Sequence, residues 1–337
     1  VGGECRQGAE HVSECGRWYI DGVDGSDWMG TKLTAEDGVC SVVFGRRVRT
    51  RGVPVVAGAD GDDDNGSDSG SAYIFNADHE LHVPKEYSTI EDALTWAIQG
   101  SEIIVSAGTY AGTGDSVIDT LGKTLTIRSS DGPENTIIDG EGVRRGIACY
   151  NEETSTGMPE VAIEGLTFTN GYADEGAGLL SVGGTTTISN CNFTMNDAFF
   201  GGAVNIIDPE AGSSITDTRF EQNTANFGGG VYLNECGNEV LLSSCGFYDN
   251  MATYGGGMYN LRGFMVLDDI RISGNAAYEG GGIFELESIS SISDSWFGAN
   301  VADVGGSSIN NHVSYSSIAN SAFCSPGMDG HITGGWG

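Results

Sequence analysis

Between Asn170 and Gly306 one motif recurs six times. An Asn is followed by a few small or polar residues, then by a run of glycines or their Ala and Ser substitutes, then by apolar residues. The anchors are Asn170, Asn196, Asn223, Asn250, Asn275 and Asn300, whose numbers differ by 26, 27, 27, 25 and 25. The glycine runs keep step, from Gly176-Ala177-Gly178 through Gly228–Gly230 and Gly255–Gly257 to Gly305-Gly306-Ser307. So does an apolar column: Phe168, Phe193, Phe220, Phe247, Ile272, Phe297 and Phe323. A fixed period in this range means stacked units, each unable to bury its apolar face alone.

The content of each unit selects among stacked architectures. Thr185–Ile188, Val231–Leu233 and Val240–Leu242 are short β-rich runs punctuated by Gly and Asn. No helix-length 3.6-residue pattern intervenes, so helical repeats and leucine-rich horseshoes are set aside. The spacing predicts an all-β parallel β-helix, one coil per repeat and about nine coils in all, with neighbouring strands stacked at ~4.8 Å. Two residues before each Phe position stand Leu166, Cys191, Thr218, Cys245, Ile270, Ser295 and Ser321, which share its inward face. Three before it stand Gly165, Asn190, Asp217, Ser244, Asp269, Asp294 and Asn320, residue types that favour turns and face outward. The anchor Asn residues are expected to take positive φ and to hydrogen-bond up and down the stack as a structural ladder. The glycines suit corners where backbones pass closely.

An Asn followed some five residues later by GGGVY, GGGMY or GGGIF resembles the repeats of chlamydial polymorphic outer membrane proteins. It also resembles the wider right-handed β-helix, pectate-lyase-like superfamily, over roughly residues 83–337. That superfamily mixes polysaccharide enzymes with adhesins and passive surface proteins, so the likeness speaks for fold before activity.

Ahead of the repeats, residues 83–110 supply a cap. Ser88 or Thr89 can start a helix with Glu91 and Asp92 in its first turn. Ile90, Leu94, Ala97 and Ile98 form its apolar stripe, and Gly100 is expected to stop it. Such a helix would plug the N-terminal end of the tube, as in many β-helices. Early coils then run through Leu125–Ile127, Thr136–Ile138 and Gly146–Cys149, with a loop excursion at 152–159. No C-terminal capping helix is expected beyond Phe323, which would leave a coil end open to stacking on another subunit.

Residues 1–80 read as a separate β-rich segment and 81–337 as the β-helix. Within the first, TKLTAEDG, VVFGRRV and VPVVAGADGDDDNGSDSGSAYIF resemble one FG-GAP repeat, the blade unit of integrin-type propellers, with Phe44-Gly45 and Ala57-Gly58-Ala59 at the signature places. Asp60, Asp62, Asp64 and Asp68 have the spacing of an oxygen-ligand loop for Ca²⁺, although Asn65 stands where Gly would make the sharp bend. A solvated acidic hairpin turn is the alternative. A lone blade leaves strand edges that pack on the β-helix, stay disordered, or pair with another copy by β-augmentation.

Catalysis on a β-helix needs polar groups that converge from adjacent coils. Asp269 and Asp294 hold one outward column with backbones ~4.8 Å apart, and Arg271 follows two residues on. Carboxyls ~5 Å apart serve retaining glycosidases. Yet Asn190, Ser244 and Asn320 share the column, which favours a turn role. Arg219, Arg271 and Arg144-Arg145 are expected to meet surface acids or solvent. Tyr232, Tyr254, Tyr259, Tyr278, Phe284 and Phe199 fall near the glycine corners, as an exposed row for sugar stacking or self-association, or as packing.

Charge narrows the partners. With 47 acidic and 15 basic residues the net charge is −32, while only 18% of residues are charged. Nucleic acid and anionic membranes reward Lys and Arg clusters and are poor partners for this chain, so no nucleic acid is expected. No run approaches the ~20 apolar residues of a membrane-spanning helix. The eight cysteines permit disulfides. Cys5 and Cys15 are the expected pair, and Cys191 and Cys245, two coils apart, are expected as buried thiols beyond bonding reach. The start at Val1 is consistent with a removed export signal. The sequence thus points to an extracellular or cell-surface structural and adhesive protein without catalysis, self-assembling and open to polysaccharide. The alternative is a pectate-type polysaccharide lyase or a glycoside hydrolase.

Overall fold

A computed structural model describes residues 80–150 and 158–324, together with the backbone strands Ile20–Asp21, Asp27–Trp28, Phe44–Arg49, Val55–Ala59, Ser71–Phe75 and Ile332–Thr333. The chain divides into two compact units, residues 1–78 and 79–337. In the first, Phe44–Arg49, Val55–Ala59 and Ser71–Phe75 form a three-stranded antiparallel meander, and Ile20–Asp21 pairs with Asp27–Trp28. Asp60, Asp62, Asp64, Asp68, Asn65, Cys5, Cys15, the 152–157 part of the excursion and the segment after Cys324 lie outside the described residues, apart from Ile332–Thr333.

The second unit is a right-handed parallel β-helix of about nine coils. In path order, a repeat coil visits four sheets. The first runs ten strands, from Glu80–Val83 to Tyr315–Ala319, and the second nine, from Gly108–Tyr110 to Ala322–Cys324. The third has six, from Tyr172–Glu175 to Val301–Val304, and the fourth nine, from Ser116–Asp119 to Ile332–Thr333. The third sheet begins only at Tyr172, so the coils before it turn from the second sheet to the fourth without a strand there.

Register explains the sequence columns. Phe168, Phe193, Phe220 and Phe247 pair in sequence along the second sheet. Their buried rings stack with centroids 4.9, 5.4 and 4.6 Å apart. Ile272 interrupts the file, and Phe297 resumes it against Phe323 at 4.7 Å. Beside them Leu166, Cys191, Thr218, Cys245, Ile270 and Ser295 are buried, small residues alternating with large ones across a narrow tube.

The Asn ladder runs through five residues. Asn196, Asn223, Asn250, Asn275 and Asn300 are buried, and each Oδ1 accepts the backbone N–H of the residue one coil earlier. From Asn223 onward, each Oδ1 also accepts the preceding Asn's Nδ2, and every ladder Nδ2 reaches a backbone carbonyl of the second sheet. Two expectations are corrected here. Asn170 stands one residue out of register: Gly171 takes the ladder place and donates to Asn196 Oδ1 at 2.8 Å, while Asn170 Nδ2 reaches Asp139. Positive φ belongs not to the ladder residues but to the residue before each, at Met195, Gln222, Asp249, Gly274 and Ala299, and to Asn170 itself. The strand-to-turn bend is made one step ahead of the ladder, which leaves the Asn side chain directed inward.

The glycine runs follow from close approach. Gly228 has φ +65°, and a Cβ on Gly229 would lie 2.4 Å from the Gly256 carbonyl of the next coil. Only glycine allows both the bend and that separation.

Helix α1 (Ile90–Trp96) covers the N-terminal end. Thr89 Oγ1 caps it by accepting from Asp92 N at 3.0 Å, and Ile90, Ala93 and Leu94 are buried in the same core as Leu81 and Val83. The helix stops at Ala97, before Gly100, because the Ser101 hydroxyl takes the Ile98 N–H and the backbone becomes extended. Ile98 is exposed rather than part of the stripe.

Candidate functional site

Asp269 and Asp294 occupy left-handed turn positions, with φ +54° and +48°, between strands of the first and second sheets. Gly165, Asn190, Asp217, Ser244 and Asn320 share that conformation, with φ from +49° to +68°. The column is therefore selected by backbone geometry, which Asn, Asp and Gly tolerate best. Both carboxylates are exposed, and Asp269 Oδ2 accepts from Ser244 Oγ at 3.1 Å. Arg271 does not join them. Its guanidinium lies over the Trp296 ring, 4.3 Å from the centroid. The proximity expected for Asp269, Asp294 and Arg271 is thus backbone adjacency without a shared polar constellation. Arg219 meets Glu221 at 2.8 Å, the surface pairing expected of it, and also covers Tyr248. Among the described residues no group of three or more His, Cys, Asp or Glu side chains could hold a metal ion.

The aromatic residues near the glycine corners gather outside the tube, where the third sheet turns into the fourth. Phe200, Phe227 and Tyr254 end successive strands of the third sheet, and Tyr232, Tyr259 and Phe284 stand second on strands of the fourth. The two files touch: Phe200 with Tyr232 and Phe227 with Tyr259 at 5.3 and 5.4 Å. Tyr232, Tyr259 and Phe284 are buried in this satellite cluster, apart from the main core. Burial pushes the Tyr259 phenol up to about 12, and raises that of Tyr232 as well. The row is neither core packing nor an open stacking surface: its ring faces are spent on one another, while Phe199, Tyr278, Tyr172 and Tyr150 nearby remain exposed.

At the N-terminal end of this corner lies an open recess of about 470 Å³, lined by Arg145, Asp174, Glu175, Phe199 and Phe200. Its origin is topological. Elsewhere a glycine N–H donates to the carbonyl one coil further on, as Gly176 does to Phe200. The first strand of the third sheet, Tyr172–Glu175, has no strand before it, so its carbonyls need another donor. Arg145 supplies it, with Nε and Nη2 on the Glu175 carbonyl at 3.1 and 2.9 Å and Nε also 3.1 Å from the Gly176 carbonyl. Nη1 reaches Tyr150 Oη at 3.2 Å. Arg145 is therefore an edge-closing residue, not a solvated pair with Arg144, which bonds Glu141 at 2.8 Å. In the same corner, beside Gly201, the buried Asn205 amide has no hydrogen-bond partner among the described residues. The combination of an exposed aromatic face, two carboxylates and a fixed guanidinium was not singled out from the sequence. The signal was the loss of one strand per coil before Tyr172, which the repeat spacing alone does not display.

Comparison with known proteins gives two kinds of likeness. Residues 29–75 match the FG-GAP repeat family. A search of the curated proteins found no match. Among solved structures, the chain is similar to the pectin methylesterase from Aspergillus niger in its deglycosylated form, at 12% identity and a TM-score of 0.39. The penultimately deglycosylated form of that enzyme, with an N-acetylglucosamine stub, aligns at 11% identity and a TM-score of 0.36. Each alignment covers 77% of this chain and 91% of the other.

Proposed function

We propose that the protein is a non-catalytic, extracellular or cell-surface adhesive scaffold whose stacked coils present the outer corner beside Arg145 to polysaccharide. The observation that carries this reading is the recess itself. The half-buried Phe200 and the exposed Phe199 stand edge to face at 4.7 Å, next to Asp174, Glu175 and the anchored guanidinium. A sugar ring presents an apolar C–H face and a rim of hydroxyls, so an aromatic plane beside charged groups complements both. The groups are held by backbone pairing and need little reordering on binding, which limits the entropic cost.

The same reading includes self-association through sheet edges and coil ends, and calcium at Asp60, Asp62, Asp64 and Asp68. Light scattering with and without calcium measures both together: growth of assemblies on adding calcium supports them, and a monodisperse monomer at all concentrations opposes them.

Polysaccharide binding is tested by affinity electrophoresis against a panel of neutral and uronic-acid polymers. Phe199→Ala should weaken retention about tenfold, equivalent to about 1.4 kcal/mol, while Tyr278→Ala, on a distant coil, should not. Equal retention of all three proteins would defeat the assignment of the recess. Turnover of any polymer that disappears in Asp294→Asn would replace the adhesive reading by the hydrolase or lyase one.

A further inference from the structure

Acidic side chains are almost never fully buried without a partner, because water stabilises their charge far better than an apolar interior does. Glu285 lies inside the tube with no solvent exposure. It stands third on Ile283–Leu286, between Asn260 on the coil before and Asn311 on the coil after. Ser290 and Ser316, successive members of one inward column of the first sheet, approach it from another side of the tube. The second sheet contributes Ile272 and Phe297 in these coils. No ion pair reaches Glu285 among the described residues. The acids nearest to it in sequence are engaged outside the tube, Glu279 with Asn310 and His312, and Glu287 with Arg262.

The polar groups of this cluster balance in one protonation state and not in the other. Ser316 Oγ donates to Glu285 Oε2 at 2.5 Å and accepts from Asn311 Nδ2 at 2.9 Å. Asn260 Nδ2 donates to the Gly263 carbonyl at 3.3 Å. Left without partners are the acceptors Asn260 Oδ1, Glu285 Oε1 and Asn311 Oδ1, together with the Ser290 hydroxyl. With a carboxylate, three acceptors compete for one hydroxyl proton, and the charge has no counter-ion. With a carboxylic acid, Oε1 becomes a donor. Glu285 Oε1–H and Ser290 Oγ–H are then two donors for two carboxamide oxygens, Asn260 Oδ1 and Asn311 Oδ1, on the coils to either side. One added proton matches donors to acceptors and removes the cost of a buried charge.

We propose that Glu285 is a carboxylic acid at neutral pH and serves as a pH-sensitive latch between the last coils. Its proton ties it to the carboxamide of a neighbouring coil, and alkali releases the tie. Burial raises the Glu285 carboxyl, and the Ser290 and Ser316 hydroxyls oppose that rise without cancelling it. The groups facing the carboxyl, Asn260 and Asn311 on its own sheet and Ser290 and Ser316 on the first, are all uncharged. A carboxyl raised on folding contributes stability that is fully present below its unfolded value of about 4.3, and that is lost as pH rises through the folded value. Between those two values the closed coil holds one proton more than the open one, so the opening constant grows about tenfold per pH unit. Each coil touches only its neighbours, which confines the effect to strands such as Ile283–Leu286 and Ile309–His312.

Two measurements on the full chain test this. Infrared spectroscopy at neutral pH, where exposed acids are ionised, should show the carbonyl stretch of a protonated carboxyl in the wild type. Glu285→Gln should abolish that band, which assigns it to this residue. Amide exchange is then compared between the wild type and Glu285→Gln at matched pH from about 5 to about 9, so that the intrinsic pH dependence of exchange cancels. Gln keeps the size of the side chain, supplies an N–H₂ in place of the acid proton and does not titrate. The ratio of wild-type to variant exchange in Ile283–Leu286 and Ile309–His312 should rise by up to about tenfold per pH unit and then level off, while Ser101–Val105 shows a constant ratio. Absence of the protonated band from the wild type at neutral pH would overturn the proposal. So would a ratio in the last coils that stays constant across the whole pH range.

Discussion

Each ladder Asn answers a deficit that a coil creates for itself. Where the chain leaves the second sheet, one N–H and one carbonyl per coil turn away from the strand pairing, and a buried carboxamide fits both. Asn250 shows the full set. Its Oδ1 accepts from Asn223 N and Nδ2, both at 3.0 Å, and its Nδ2 donates to Asn275 Oδ1 and to the Phe220 carbonyl. Asn250→Ala removes all four bonds and leaves buried donors and acceptors behind, so a loss of about 3 kcal/mol is expected in urea denaturation. Asn170 carries the same residue name in the repeat but bonds only Asp139 through its side chain, at the margin of the stack. Asn170→Ala loses that one bond and puts Ala at φ +52°, so a cost of about 1–2 kcal/mol is expected, still below that of Asn250→Ala. Equal losses from the two substitutions would mean that the ladder contributes no more than a surface hydrogen bond. The sequence made the two residues look equivalent because a one-residue displacement, with Gly171 in the ladder place, is invisible to a spacing count that already varies between 25 and 27.

At the level of strands and sheets, most of the architecture was legible because parity and period are both conserved from coil to coil. The Phe file, the small-residue file beside it and the turn file containing Asp269 and Asp294 all occupy the places that alternation assigns them. The same parity carries Glu285 inward: in the GGGIF strand Ile283 is buried, Phe284 faces out and Glu285 faces in. That residue was readable and passed over, because acidic residues are ordinarily placed on the surface by type before their position is considered. What was not legible is the number of sheets. The third sheet starts at Tyr172, and Arg145, from the preceding coil, closes its exposed edge through two carbonyls. Arg145→Met keeps the length of the side chain and removes its donors. Amide exchange in Tyr172–Glu175 should then accelerate by a factor of about ten or more, corresponding to at least about 1.4 kcal/mol of local stability, with little change beyond Phe227. Unchanged exchange in that strand would assign its order to packing on Phe200 instead of to the guanidinium.

The whole β-helix unit is a stack in which each coil touches only its neighbours, so its stability is a sum of coil terms and interface terms. Long-range consequences of a lesion then fade with the number of coils crossed, in contrast to a globular domain with one shared core. Four buried thiols are spaced along the unit as reporters. Cys149 lies on Arg145–Tyr150 and Cys191 two coils further on, while Cys236 and Cys245 flank the Glu239–Ser243 strand that belongs to the coil of Asn250. Burial pushes all four thiols up to about 12, so at neutral pH they react only when their coil opens. Cys324 is exposed and should be labelled at once, which calibrates the reagent. In Asn250→Ala, alkylation followed by peptide mass spectrometry should show Cys245 and Cys236 labelled about tenfold faster than in the wild type, Cys191 less so, and Cys149, four coils away, almost unchanged. A uniform acceleration of all four would mean that the coils open together, and that the ladder and the Phe file bind the stack into one cooperative body instead of a chain of neighbours.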